Sequence, residues 1–172
     1  MLKFHGLTLL ELLISISIII LLITLGSPAF DSIQRNIQLK SVAENVYFAL
    51  QKARSAAIAQ QADITSTFQD GSNWCIGNSD IGKCDCKVLA NCTVNGVEQT
   101  LSSVDYSLIS INEIKFGKDS IAVFDGVRGL SIGHAGSVIF SDGKRRLKLI
   151  LSNMGRVRIC GLSEDVGGYK KC

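Results

Sequence analysis

The chain has 172 residues, a net charge of only +3, six cysteines, two histidines and one proline. Two histidines, His5 and His134, leave little material for a metal centre or a Cys-His catalytic pair, and so small a net charge means that any basic surface must be local. The part downstream of residue 62, roughly 110 residues, is long enough for one small core and too short for two domains.

The first element is a short basic leader, Met1-Leu2-Lys3-Phe4-His5-Gly6, with no apolar stretch of its own. An ordinary signal peptide would be cut after its apolar segment at a small-x-small site, and this leader offers no such arrangement. Behind it an apolar run extends from Leu7 to Leu25, interrupted by one carboxylate, Glu11. At about 1.5 Å per residue the run makes roughly 28 Å of helix, against a bilayer core of about 30 Å. Lys3 precedes the run and the next basic residue is Arg35, so the positive-inside rule places the leader in the cytoplasm and the rest of the chain outside. A carboxylate at membrane depth costs about 2.5 to 3.5 kcal/mol on insertion scales, so Glu11 calls for a partner. The plain alternative is an anchor whose Glu snorkels to the interface.

Gly6-Leu7-Thr8-Leu9-Leu10-Glu11 resembles the processing site of type IV pilins and pseudopilins. The resemblance implies that a prepilin peptidase cuts between Gly6 and Leu7 and methylates the new amine on Leu7, which stands where the family usually has Phe. The apolar helix then stays in the mature chain. Glu11 would be the assembly residue, pairing with the amine of a neighbouring subunit in a filament of other major and minor pilins. Pro28, in Gly26-Ser27-Pro28, is expected to break or kink the helix just beyond the apolar run, as pilin helices commonly do.

Past Pro28, Ile33, Ile37, Val42, Val46, Leu50, Ala53 and Ala57 recur at helical spacing among polar residues, predicting an amphipathic helix to about Ala62 whose apolar face packs on a sheet. From Thr65 onward the pattern changes to short apolar runs between Gly, Asn, Ser and Asp. Strands are predicted at Ile64 to Gln69, Trp74 to Ile76, Ser107 to Asn112, Ile114 to Phe116, Ser120 to Phe124, Leu130 to Ile132, Ser137 to Phe140, Arg146 to Leu151 and Arg156 to Cys160, with a tight hairpin at Asp142-Gly143. Phe124-Asp125-Gly126-Val127-Arg128-Gly129 resembles the glycine-rich turn in the heads of the GspH/FimT group of minor pilins and pseudopilins. The fold class expected is α+β and pilin-like, a long N-terminal helix packed on an antiparallel β-sheet head. Its parts are a leader at 1–6, a transmembrane half-helix at 7–28, an amphipathic half-helix at 29–62 and a disulfide-bearing head at 63–172.

Six cysteines in an exported head point to disulfides. Cys160 is expected to bridge Cys172 and staple the tail onto the last strand. Cys75, Cys84, Cys86 and Cys92 would form two local bridges, with their pairing left open. Zinc is the alternative, but C-x8-C-x-C-x5-C contains no C-x-x-C pair. No cofactor, phosphate loop or nucleophile-base set is read, and His134 in Gly133-His134-Ala135-Gly136 is a lone turn imidazole. The expectation is a structural subunit and not an enzyme.

The remaining signal is basic. Lys144, Arg145, Arg146, Lys148, Arg156 and Arg158 stand between 144 and 158 with no acid among them. Period-two alternation puts Lys144, Arg146 and Lys148 on one strand face and Arg156 with Arg158 on a face of the next run. Arg forks in rows suit phosphate oxygens. Gly155-Arg156-Val157-Arg158 is similar to the G-R-x-R element of minor pilins that bind DNA in natural transformation. Aromatic side chains are scarce nearby, so the ligand implied is the backbone of double-stranded DNA, bound without sequence preference. The alternatives are charges that protect an edge strand, or that meet a neighbouring pilin. On this reading the chain is a minor type IV pilin in the inner membrane with its head in the periplasm, later in a pilus, helping to initiate or cap it. The alternative is a minor pseudopilin of a type II secretion system, which shares the processing site, the helix and the head.

Overall fold

The computed structural model describes residues 8–71, 73–163, 166 and 168–172, with the side chains of residues 25–29 and 118 excepted. The chain forms two compact units, residues 1–34 and 35–172. One helix, α1 (Leu9–Gln60), runs through both without interruption. Gly26-Ser27-Pro28 therefore does not break it. Proline removes one backbone donor, and the helix continues on the bonds of the flanking residues.

In the first unit Thr8 caps α1, its Oγ1 accepting from the Glu11 amide at 3.3 Å. The hydroxyls of Ser15 and Ser17 donate back to the carbonyls of Glu11 and Leu13 at 2.7 and 2.8 Å, which lets polar residues sit in an apolar helix without unmet donors. Leu9 through Ile23 are exposed on every side of this segment. Among the described residues no helix is long and apolar enough to cross a membrane. The apolar run of the sequence is longer than its described part, because Leu7 and the side chain of Leu25 lie outside it.

The second unit is an α+β head. In it α1 buries Leu39, Val42, Ala43, Val46, Leu50, Ala53 and Ala57 in a single core with the sheets. Ile33 and Ile37, expected in the buried stripe, are exposed. The stripe that packs on the sheets begins only at Leu39. Gln61, with φ at 52°, ends the helix in the left-handed region.

The strands are β1 (Ile64–Gln69), β2 (Cys75–Ser79), β3 (Thr93–Val94), β4 (Val97–Glu98), β5 (Thr100–Ser102), β6 (Ser110–Lys115), β7 (Ile121–Phe124), β8 (Gly136–Ser141), β9 (Arg146–Leu151) and β10 (Val157–Gly161). Two antiparallel four-stranded sheets result, ordered β5-β2-β1-β7 and β10-β9-β8-β6, with β3-β4 as a separate hairpin. Ile64, Phe68, Ile76, Ala122 and Phe124 supply the first sheet's share of the core, and Val138, Phe140, Leu147, Leu149, Leu151 and Val157 the second's. Asn78 fastens the first sheet to the helix, accepting from Ser66 at 2.7 Å and donating to the Ala49 carbonyl at 3.1 Å.

Three sequence expectations change. The segments either side of Glu113 are one strand, β6, with a register shift between Ile111 and Glu113. A bulge keeps both halves paired to β8 where alternation alone reads as a break. Leu130 to Ile132 is not a strand, because its backbone closes a turn: Asp125 donates to the Leu130 carbonyl at 2.9 Å and Ser131 donates to Asn153 at 2.9 Å. The β3-β4 hairpin and β5 were not expected. Asn95-Gly96, both at positive φ, is the tight-turn signal that would have found the hairpin.

Candidate functional site

Gly155-Arg156-Val157-Arg158 forms the entry to β10, directly after the turn from β9. Ser152 donates to the Arg156 carbonyl at 3.0 Å, Gly155 to the Ser152 carbonyl at 2.9 Å, and Arg156 to the Ser152 hydroxyl at 3.2 Å. Gly155 has φ of 71°, and a Cβ there would lie 2.1 Å from the Gly129 carbonyl oxygen. That oxygen accepts from Arg54 Nε of α1 at 3.0 Å. The two segments singled out by family resemblance thus touch each other and the helix.

The other segment, residues 124–130, is organised by Asp125. Its Oδ1 accepts from the amides of Val127 and Arg128 at 3.0 and 2.8 Å, and its Oδ2 from Leu130 at 2.6 Å. The Arg128 amide, above all, holds the Asp125 carboxyl below its ordinary range. Gly126 donates to Asp63 at 3.0 Å and lies against the helix end, where a Cβ would fall 2.3 Å from the Ala62 nitrogen. This is a structural joint, with no open chemistry in it.

Register decides where the cations go. Leu147, Leu149 and Leu151 of β9 face the core, so Arg146 and Lys148 face outward. Arg158 pairs with Ile150, and Lys148 with Cys160, which puts Arg158 on that same outer face, diagonal to Lys148. Arg156 is exposed one step before β10. Lys144 and Arg145 belong to the turn and not to the strand. Asp142 Oδ1 accepts from both of their amides, at 2.9 and 2.6 Å, and Arg145 Nε lies 3.5 Å from Asp142 Oδ2. Lys144 therefore does not continue the row of Arg146 and Lys148 as period-two reading placed it. Arg145 is committed to its own hairpin.

Sequence reasoning passed over two further cations, Lys170 and Lys171. Cys160 is bridged to Cys172 across Cα atoms 5.1 Å apart. The tail returns along β10, with Gly161 donating to the Lys170 carbonyl and Cys172 to the Gly161 carbonyl at 2.9 and 3.0 Å. Tyr169 fixes the tail to α1 through a 2.5 Å bond to Glu44, and burial together with that bond pushes its phenol up. The result is a cavity of about 410 Å³ lined by Arg156, just before β10, Arg158 of β10, and Lys170 and Lys171 of the tail. A Lys-Lys pair beside a terminal cysteine was the available signal.

The other four cysteines pair as Cys75 with Cys86 and Cys84 with Cys92. With every cysteine in a disulfide, the zinc alternative has no thiolates left to use. His134 donates its amide to the Ser131 carbonyl at 3.1 Å, within a turn. Glu11 and Pro28 belong to the first unit, far along the chain from the basic edge, and Gly6 and Leu7 lie outside the described residues.

The family model described as type II transport protein GspH matches residues 42–155, more than half of the chain. The chain belongs to the GspH family. No curated protein and no solved structure matches it. As a GspH-family member it has a pseudopilin or minor-pilin role, that of a structural subunit that associates with other such subunits in a filament. The matched span covers α1 from residue 42 to its end and the strands as far as Gly155. Arg156, Arg158 and the stapled tail follow it, so the basic cavity stands outside what the family match accounts for.

Proposed function

We propose that this GspH-family chain is a minor type IV pilin that helps initiate or cap a pilus and binds DNA during uptake through the basic edge of its head. The convergence of Arg156, Arg158, Lys170 and Lys171 on one cavity, with Arg146, Lys148 and Arg158 on the adjoining sheet face, carries this reading. Guanidinium forks and ammonium groups there neutralise successive phosphates and release counterions, a contact independent of sequence. At the other end, prepilin peptidase cuts between Gly6 and Leu7, the apolar run from Leu7 holds the chain in the inner membrane with the head in the periplasm, and Glu11 pairs with a neighbour's methylated amine. No catalytic step is assigned to the chain.

Titrating the full chain in detergent with duplex DNA over a salt series tests the DNA site. Arg156→Gln/Arg158→Gln should weaken binding and lower the slope of log affinity against log salt by about two, since each lost phosphate contact removes about 0.9. An unchanged slope and affinity would remove these residues from any DNA site. A second reading, a minor pseudopilin of a type II secretion system, is favoured by the description of the matching family. Deleting the gene separates the two: the pilin reading expects lost piliation or transformation with intact secretion, the pseudopilin reading the reverse.

A further inference from the structure

The cationic cavity has a neighbour. Between α1 and β10 lies a groove of about 420 Å³ lined by Glu44, Tyr47, Phe48, Ile159 and Tyr169, and it shares Ile159 and Tyr169 with the cavity. Its volume falls in the range of small-molecule sites, about 300 to 1,000 Å³. Phe48 is 62 % exposed, a large aromatic left uncovered by the head. Tyr47 meets it edge to face, with centroids 5.3 Å apart, and Glu44 holds the Tyr169 hydroxyl.

The two compartments differ in charge. Arg156, Arg158, Lys170 and Lys171 line one, and a carboxylate, Glu44, lines the other. A phosphate is drawn to the first and repelled from the second. A flat, neutral ring with amino donors suits the second, by stacking on Phe48 and donating to Glu44. We propose that the basic edge holds an unpaired nucleotide, its phosphate in the cavity and its base in the aromatic groove, so that single-stranded DNA binds there more tightly than its backbone alone. The proposal rests on the DNA reading above and extends it. A duplex presents the same phosphates, but its bases are stacked and paired, and bringing one into the groove requires unstacking it. Duplex binding therefore uses the cations without the groove.

Three ligands separate the contributions: a single strand without self-complementarity, the same strand with abasic residues throughout, and the duplex, each titrated against the full chain in detergent. The intact single strand should bind the wild type about tenfold or more tighter than the abasic strand, the usual size of one aromatic-base stack. Phe48→Ala should erase that difference and leave duplex affinity unchanged. Phe48→Trp should retain it, with the introduced indole quenched by the intact strand and not by the abasic one. Equal affinity for intact and abasic strands, or undiminished single-strand preference in Phe48→Ala, overturns the base groove. Arg156→Gln/Arg158→Gln should weaken all three ligands. If all three bind that variant as they bind wild type, the DNA reading itself fails, a result distinct from failure of the groove alone.

Discussion

Gly155 has two separate reasons to be glycine, and neither involves a ligand. Its φ of 71° lies in the left-handed region, and the Gly129 carbonyl oxygen occupies the space of a side chain, 2.1 Å from an ideal Cβ. Left-handed strain costs about 1 to 2 kcal/mol for an L residue, and forced overlap in a packed region about 1 to 3. Gly155→Ala should therefore lose about 2 to 5 kcal/mol in denaturant unfolding while both arginines of the motif remain. A loss below 1 kcal/mol would show that the turn relaxes freely. In Gly155-Arg156-Val157-Arg158 the glycine serves the joint between the β9-β10 turn, the Asp125 turn and Arg54, and only the arginines face solvent. A four-residue signature thus combines a folding requirement with an exposed charge pattern, and the chain alone does not separate them.

Among the elements, β10 is one of the two edge strands of its sheet, and the tail covers its edge. Closing a loop of this size by a disulfide is worth about 3 kcal/mol in the chain-entropy account, against about 1 kcal/mol net for each backbone hydrogen bond. The Cys160 to Cys172 bridge therefore adds to the two backbone bonds and the Tyr169–Glu44 bond in keeping Lys170 and Lys171 beside Arg156 and Arg158. Cys160→Ser/Cys172→Ser should lower stability by about 2 to 3 kcal/mol and weaken duplex binding with a reduced salt slope. Retained slope in that variant would show that the tail lysines do not contact phosphate. Strand β9 was legible to the residue because its leucines alternate first with Arg146 and Lys148 and then with Ile150. The bulge in β6 was not, since a single extra residue reverses the alternation and reads as the end of a strand. The basic row was legible in number but not in position: the Asp142 turn removes Lys144 and Arg145 from the strand, and pairing with β9 brings Arg158 diagonal to Lys148.

For the whole molecule, the division of α1 matters most. Its first part carries apolar residues on every side and its later part buries a stripe beginning at Leu39. A helix apolar all round has no stable place in water, and the filament expected of a GspH-family subunit supplies one. Thr8 and Glu11 open that helix, with the Glu11 amide bonded to the Thr8 hydroxyl, so the carboxylate sits in the first turn, where helix polarity favours negative charge. If it also meets a neighbour's amine, as proposed, removing it leaves that amine unpaired, a loss of about 3 kcal/mol or more where water is excluded. Glu11→Ala should give a normally folded head whose recovery in sheared filament fractions drops by about tenfold or more. Wild-type recovery would reduce Glu11 to a helix-terminal residue.

By itself the sequence determined the long helix, the change from helical to alternating pattern near residue 63, and the oxidisable cysteines, because each is a local property of spacing and composition. The tertiary structure alone decided which cations share a face, that Lys170 and Lys171 join Arg156 and Arg158, and that Tyr47 and Phe48 stand beside them. Aromatic side chains are scarce near β10 along the chain but not in space. Helix α1 and β10 are separated by most of the head in sequence, and only folding the sheet onto the helix brings them together, since register and long-range packing are not encoded in any one window of residues.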